Sequence, residues 1–406
     1  MTQAGERHAS WLELFFDLVV VVAVAQLAHR LAHPTWLDVL LFATLYYAVW
    51  NVWTTLTLYA NARGDKTHLR AMLIGMFGIA VMAAAAPDVA HVVTGPDPFE
   101  THDGWFVVGY VICRGSASRA LQGAGAVLTS WPAAQLGAGT IPWAASLAID
   151  PGTPEHPFSW RYVLWLLAVV LDIGFSIYLS RHPERMTKRA AEQAERLRER
   201  VERRGVRQEI VTPTAAILHP AHLGERLGLF VIIVLGEAVM QVVVASSGRS
   251  WHLPLIVTGV AGFGLIVCLW WVTLQYGLSA VPDASENGLK PIVALPAHYV
   301  MTAGITAAAA GLGVAASEAD QHLHGGIVWV LCGGLAIYFL ASAILGIANQ
   351  AERRWIWGWA VPTVAAPLVI GLVGGSLPAW AVVVLLALVA LWRVFYRPSA
   401  ALPATA

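Results

Sequence analysis

Leu12-Glu13-Leu14-Phe15-Phe16-Asp17-Leu18-Val19-Val20-Val21-Val22-Ala23-Val24-Ala25-Gln26 places two acids at the head of a long apolar run. A carboxylate about two helical turns inside hydrocarbon is costly, so in a membrane helix it faces a partner, a cavity or an ion path. The rest of the chain has the same character. Its 406 residues are 57% hydrophobic and 12% charged, with a mean hydropathy of +0.63. A soluble domain carries about 25% charged residues, twice as many. Apolar stretches of about 20 residues recur along the whole length, each sufficient to cross a bilayer as a helix.

Working outward from that segment, the sequence predicts an all-α, polytopic membrane protein of about 12 transmembrane helices in two parallel six-helix repeats. The spans fall near residues 11–32, 36–60, 69–92, 104–126, 131–149, 159–180, 226–247, 252–279, 291–315, 325–347, 356–375 and 378–396. Breakers separate them at His33-Pro34, Gly95-Pro96-Asp97-Pro98, Pro151-Gly152-Thr153-Pro154, Pro282-Asp283 and Gly374-Gly375. This gives an N-terminal half at 1–180, a basic linker at 181–224 and a C-terminal half at 225–406. No cleavable signal peptide is expected, because Glu6, Arg7, Glu13 and Asp17 stand where a basic n-region and a clean apolar core belong.

Lys and Arg set the expected orientation. Arg7, Arg63, Lys66, Arg70, the basic residues of 181–207, Arg226, Lys290, Arg353, Arg354, Arg393 and Arg397 share one face, against Arg30, Arg161 and Arg249 on the other. The positive-inside rule then puts both termini in the cytoplasm. In the linker, Glu192/Arg196 and Glu199/Arg203 lie four apart, the spacing of a solvated helix. A hinge between halves is the preferred reading of that helix, with an anionic-lipid contact as the alternative. A net charge of zero argues against nucleic acid as a partner.

The halves resemble one another. Leu14-Phe15 matches Leu229-Phe230, Gln26 matches Gln241 and Trp36 matches Trp251, all at an offset of 215 residues. Farther on, Trp53-Thr54-Thr55-Leu56 resembles Trp271-Val272-Thr273-Leu274, and Cys113 falls on Cys332. Six spans per half give both halves one orientation, as in transporters built from parallel repeats.

The charges inside the spans are the candidate functional residues. Ser10 and Glu13 have capping-box spacing, so a helix cap is the preferred reading of Glu13. Asp17 lies roughly 10 Å above Ser10 and shares a face with Glu13, where like charges repel unless one is protonated or a cation intervenes. Arg119 in span four is expected level with Asp17 and is its predicted partner, with Arg114 deeper and Asp172 again in the inner half of span six. An ion pair that merely locks helices together competes with a charged constriction or substrate site. Glu237 stands near the midplane with no basic residue in its span, which suits a proton carrier or a hydrogen-bonded acid. Spans five and eleven, with Pro132, Gly137, Gly139 and Pro142 in one and Pro362 and Pro367 in the other, have the composition of discontinuous helices. His219-x-x-His222-x-x-Glu225, followed by Arg226, reads as a helix-start motif rather than a metal site, since no fourth ligand accompanies it. The three cysteines sit in apolar runs and read as packing residues, and Trp355, Trp357 and Trp359 as an aromatic belt.

Three motifs together, Leu12 to Val19, His222-Leu223-Gly224-Glu225-Arg226-Leu227-Gly228-Leu229-Phe230 and Leu235-Gly236-Glu237, give a chain that resembles the bacterial low-temperature-requirement A family over essentially its whole length. The resemblance implies an inner-membrane protein associated by name with growth in the cold, and brings no settled substrate. Ser10-Trp11 departs from an expected Thr-Pro, and Ala238 from a Ser after the motif's Glu, which removes a hydroxyl beside Glu237. Arg7 followed by Phe-Phe-Asp on the first span is also similar to an Arg…Phe-Ser-Asp motif of a lysosomal potassium-channel family, by analogy only.

The leading expectation is a secondary transporter or ion-coupled permease. Asp17 and Glu237 would be coupling sites, with Arg114, Arg119, Asp172 and Glu13 the further ion or substrate candidates. A channel lined by spans one and seven, with Val19 to Val22 as a dry constriction, is the runner-up. A non-transporting accessory protein for cold growth is third. No nucleophile–base pair or metal motif supports an enzyme, and no cofactor is expected. The expected partners are the lipid bilayer and a small solute or ion.

Overall fold

The computed structural model describes residues 9–64, 67–90, 102–150, 158–203, 211–277, 290–349 and 351–396. The breakers expected at 95–98, 151–154 and 282–283, and the charges Glu6, Arg7, Lys66, Arg204, Arg207 and Arg397, lie outside the described residues.

The described chain is almost wholly helical. In order come α1 (Trp11–His29), α2 (Trp36–Arg63), α3 (Leu69–Ala85), α4 (His102–Gly123), α5 (Ala133–Leu136), α6 (Thr140–Ala145), α7 (Trp160–Ser180) and α8 (Pro183–Arg203). They are followed by α9 (Pro220–Ser246), α10 (Leu253–Trp270), α11 (Pro291–Ser317), α12 (Gly325–Ala348), α13 (Arg353–Trp355), α14 (Val361–Val373) and α15 (Ala379–Phe395). A single two-residue parallel bridge pairs β1 (Ala126–Val127) with β2 (Thr214–Ala215).

Among the described residues, nine helices are long and apolar enough to cross a membrane. They are α1, α2, α3, α7, α9, α10, α11, α12 and the run Arg353–Ser376 that holds α13, a π-helical turn and α14. The other three expected spans take different forms. The helix at α4 has the length but carries Arg114 and Arg119. The fifth is broken into α5, α6 and the 3-10 turn Ser146–Ala148, and the twelfth, α15, has 17 residues.

The outward surfaces are apolar, the inverse of a soluble helix. Val163, Leu166, Leu167 and Val170 of α7 are exposed, as are Ile256, Val260, Phe263 and Val267 of α10. Each set recurs at helical spacing and makes a continuous apolar stripe, which is stable against lipid tails and not against water. The chain is a multi-pass membrane protein.

Two compact units are present: Met1–Leu27 with Leu40–Leu227 and Lys290–Ile292, and Ala28–Val39 with Gly228–Leu289 and Val293–Ala406. The first is centred on α2, whose apolar window is 83% buried, against 33% for the peripheral α7. The linker helix α8 belongs to this unit, because Met186 packs on Val127 and Leu179. The second is centred on α11 and α12. In the first unit α3 and α4 cross so closely that a Cβ on Gly78 would lie 2.9 Å from the Gly109 carbonyl oxygen. Only backbone fits there, the close approach that membrane helices use in place of a hydrophobic drive.

Candidate functional site

Two buried polar clusters lie in the first unit, and α2 contributes to both. The first joins α1 to the first turns of α9. The Ser10/Glu13 box forms as its spacing implies: the Ser10 amide donates to Glu13 Oε2 at 2.8 Å, and the Glu13 amide to Ser10 Oγ at 3.3 Å. The other oxygen of Glu13 does a second job, lying 3.3 Å from His222 Nε2. One turn on, Arg226 donates to Asp17 through Nη1 at 2.6 Å and Nη2 at 2.7 Å, and the Trp53 indole donates to Asp17 Oδ1 at 2.8 Å. Asp17 is 1% exposed and Arg226 0%. Glu13/Asp17 and His222/Arg226 are both i, i+4 pairs, so one acidic and one basic-capable face meet rung to rung. The repulsion between the two acids is relieved by the facing rungs.

Asn61 of α2 completes this cluster. Its Oδ1 accepts from the His219 amide at 2.8 Å, which sets the amide's orientation. Its Nδ2 then donates to the His219 carbonyl at 3.1 Å and faces His222 Nδ1 at 3.0 Å. Nδ1 therefore accepts, and the ring proton sits on Nε2, the nitrogen turned toward Glu13.

The second cluster holds the broken span together. Gly137, in the left-handed region at φ 60°, ends α5, and Gly139 starts α6. Breaking a helix inside hydrocarbon exposes amides and carbonyls that must find partners. From α7, Ser176 Oγ accepts the Ala133 amide at 2.8 Å and Asp172 Oδ1 accepts the Gly139 amide at 2.8 Å. From α4, Arg114 donates to the carbonyls of Ala133 and Ala134 and, at 2.7 Å, to Thr55 Oγ1. Asn51 Nδ2 donates to Asp172 Oδ2 at 3.0 Å and to the Tyr110 hydroxyl at 3.3 Å. A Cβ on Gly139 would come within 2.6 Å of the Asp172 carboxyl, so only glycine fits there. Trp143 anchors α6 by stacking on Trp165 of α7, with ring centroids 4.8 Å apart. Asn51 Oδ1 and Thr140 Oγ1 are buried and have no hydrogen-bond partner among the described residues.

Several sequence expectations are corrected. Arg119 is exposed and is not the partner of Asp17; Arg226 is. Arg114 and Arg119 are five residues apart, about 140° around the helix, so matching depth did not imply matching direction. Arg226 lies in the first turns of α9 and is fully buried there. His222 serves Glu13 and Asn61, whereas Glu225 turns partly to the surface. Val20 is buried, while Val19 and Val22 line a groove of about 390 Å³ with Ala80 and Ala83. Trp359 is not belt but buried core, with Arg393 over its ring. In the second unit, Glu237 accepts from Gln241 at 2.6 Å.

Residues passed over in the sequence include Asn51, Trp53, Asn61 and Tyr110. Asparagines in an otherwise apolar span were the available signal. The pair Arg161–Asp103, at 3.3 Å, was also missed. Asp103 also accepts from the Ala90 amide at 2.9 Å, and Arg161 donates to the Ile149 carbonyl at 2.6 Å, tying α4 to the start of α7.

An uncharacterized protein of Rhizobium meliloti (strain 1021) is 27% identical over 315 residues, 74% of this chain and 66% of that relative. The chain thus covers slightly under two thirds of that relative's length. No solved structure matches it. The sequence pattern of the bacterial low temperature requirement A proteins matches residues 8–390, which takes in α1 through most of α15. Both polar clusters lie inside that match, and the chain belongs to the bacterial low temperature requirement A (LtrA) family.

Proposed function

We propose that this LtrA-family protein is a secondary transporter or ion-coupled permease for a small solute, with its solute site at the break between α5 and α6. The observation that carries this reading is the break itself, half-buried beside α2 and held by a buried charged residue at each side, Arg114 and Asp172. Discontinuous helices inside a bilayer are tolerated where they line a cavity or a binding site. The unpartnered Asn51 Oδ1 and Thr140 Oγ1 lie at the same place and are of the right kind to meet a polar solute. In this reading the Asp17–Arg226 and Glu13–His222 rungs are a contact that a proton or cation can compete for. Glu237, paired with Gln241, is a further coupling group. The accompanying topology is 12 spans in two parallel repeats, in a bacterial inner membrane with both termini cytoplasmic. No enzymatic step and no cofactor is part of the proposal.

One observation favours a second reading, a non-transporting accessory protein. The charged side chains of both clusters are hydrogen-bonded within the protein, as in a scaffold. Reconstitution separates the two. Proteoliposomes on a solid-supported membrane are challenged with amino acids, sugars and inorganic ions under proton or sodium gradients. A solute-dependent current that Asp172→Asn and Asn51→Leu abolish, in variants that elute as folded protein, supports transport. Silence toward every solute by folded protein sinks it, and unitary currents would make the protein a channel.

A further inference from the structure

A second polar site lies where α4 ends and α8 begins, and neither cluster above uses it. The end of α4, β1 and α8 enclose a cavity of about 650 Å³. Its floor is ordered. Gly125, at φ 62°, turns the chain into β1, and the Thr214 amide donates to the Gly125 carbonyl at 2.9 Å. Gln135 clasps the same strand, accepting from the Leu128 amide at 2.9 Å and donating to the Ala126 carbonyl at 3.0 Å. Helix α8 is seated by Met186 on Val127 and Leu179.

The lining is amphiphilic and one-signed. Arg119 from α4 and Arg189 from α8 both face the cavity, with Gln122 and Gln193 between apolar Met186 and Leu197. Among the described residues no carboxylate lines it, and neither guanidinium makes an ion pair or hydrogen bond. Ser118, Arg119 and Gln122 also border a second, longer space of about 1200 Å³ along the outer face of α3 and α4. Its other walls include Leu69, Ile74 and Ile112, all exposed on a lipid-facing surface, with Arg70 at the same end as Arg119. An anion pocket that shares a wall with an apolar groove has the two-part chemistry of a membrane phospholipid.

We propose that this is a binding site for one anionic phospholipid. The phosphate headgroup enters the cavity between Arg119 and Arg189, and an acyl chain lies along the groove between α3 and α4. The site would tie the linker helix α8 to the membrane surface, and it does not depend on the transport reading.

The test uses full-length protein in detergent, scored by thermal unfolding and native mass spectrometry. The probes are phosphatidylglycerol, phosphatidylcholine and inorganic phosphate. Wild-type protein is expected to keep phosphatidylglycerol and to unfold at a higher temperature with it, and to respond to neither other probe. R119Q/R189Q should weaken retention at least tenfold, whereas K188Q/R196Q, with the same charge change at exposed positions outside the cavity, should not. If R119Q/R189Q does not fold, R189Q alone on the exposed face of α8 carries the comparison. Equal retention of phosphatidylcholine, equal loss in K188Q/R196Q, unchanged binding in the arginine variants, or a response to inorganic phosphate alone would each overturn the proposal.

Discussion

Asp17 and Arg226 are 209 positions apart in sequence and meet through two hydrogen bonds, at 2.6 and 2.7 Å, with both side chains buried. This pair, with Glu13 and His222 one turn away, fastens the first helix to the start of the ninth. Removing one member leaves the other as a buried charge without its partner.

Asp17→Ala or Arg226→Ala should each destabilise the folded protein by about 3–5 kcal/mol, the cost of orphaning one half of a buried pair. The double change Asp17→Leu with Arg226→Met should recover most of that loss. Thermal unfolding followed by tryptophan fluorescence in detergent, arranged as a double-mutant cycle, measures the coupling. Additive single effects would mean that the contact contributes nothing as a pair.

Gly139→Ala forces a methyl group against the Asp172 carboxyl and the Ala168 carbonyl, each under 3 Å from the new Cβ. A loss of about 1–3 kcal/mol is expected from such overpacking. Gly174→Ala, on α7 with nothing near its added Cβ, is the control and should be neutral. Equal unfolding temperatures for the two variants would show that α6 can shift away at no cost.

The crossing of α3 and α4 makes a parallel prediction. Gly78→Ala would put a Cβ 2.3 Å from Cys113 Sγ and 2.9 Å from the Gly109 carbonyl. The helices must separate, and a loss of about 1–3 kcal/mol follows. Gly115→Ala, on α4 but facing open space, should instead be neutral or gain about 0.5–1 kcal/mol from helix propensity. Chemical denaturation of the purified variants checks the order.

His222 should carry its ring proton on Nε2, because Asn61 donates to Nδ1. Asn61→Asp replaces that donor with an acceptor and should move the proton to Nδ1. The nitrogen shifts of the labelled histidine distinguish the tautomers directly. Identical spectra for the wild type and Asn61→Asp would mean that Asn61 does not control the ring.

Much of this arrangement is readable before any coordinates. The capping box of Ser10 and Glu13 is a local pattern, and its bonds are the ones its spacing implies. The interruption of span five follows from Gly137, Gly139 and Pro142, which lie within six residues. Asp172 and Arg114 were legible as costly intramembrane charges, but their tasks were not. Arg114 serves carbonyls exposed by the break, and Asp172 serves an amide there. Neither makes an ion pair with the other among the described contacts.

The division follows from range. Hydropathy, helix caps and breakers depend on neighbours within a few turns, so the all-helical membrane class and the family were determined by composition and motif. Which charge meets which depends on helix rotation, where each residue adds about 100°, and on which helices become adjacent. Arg119 and Arg226 show the difference. Depth along the chain made the first the partner of Asp17, whereas the meeting of α1 with the first turns of α9 made it the second. Only the tertiary structure turned the opening pair of acids into one side of a matched ladder.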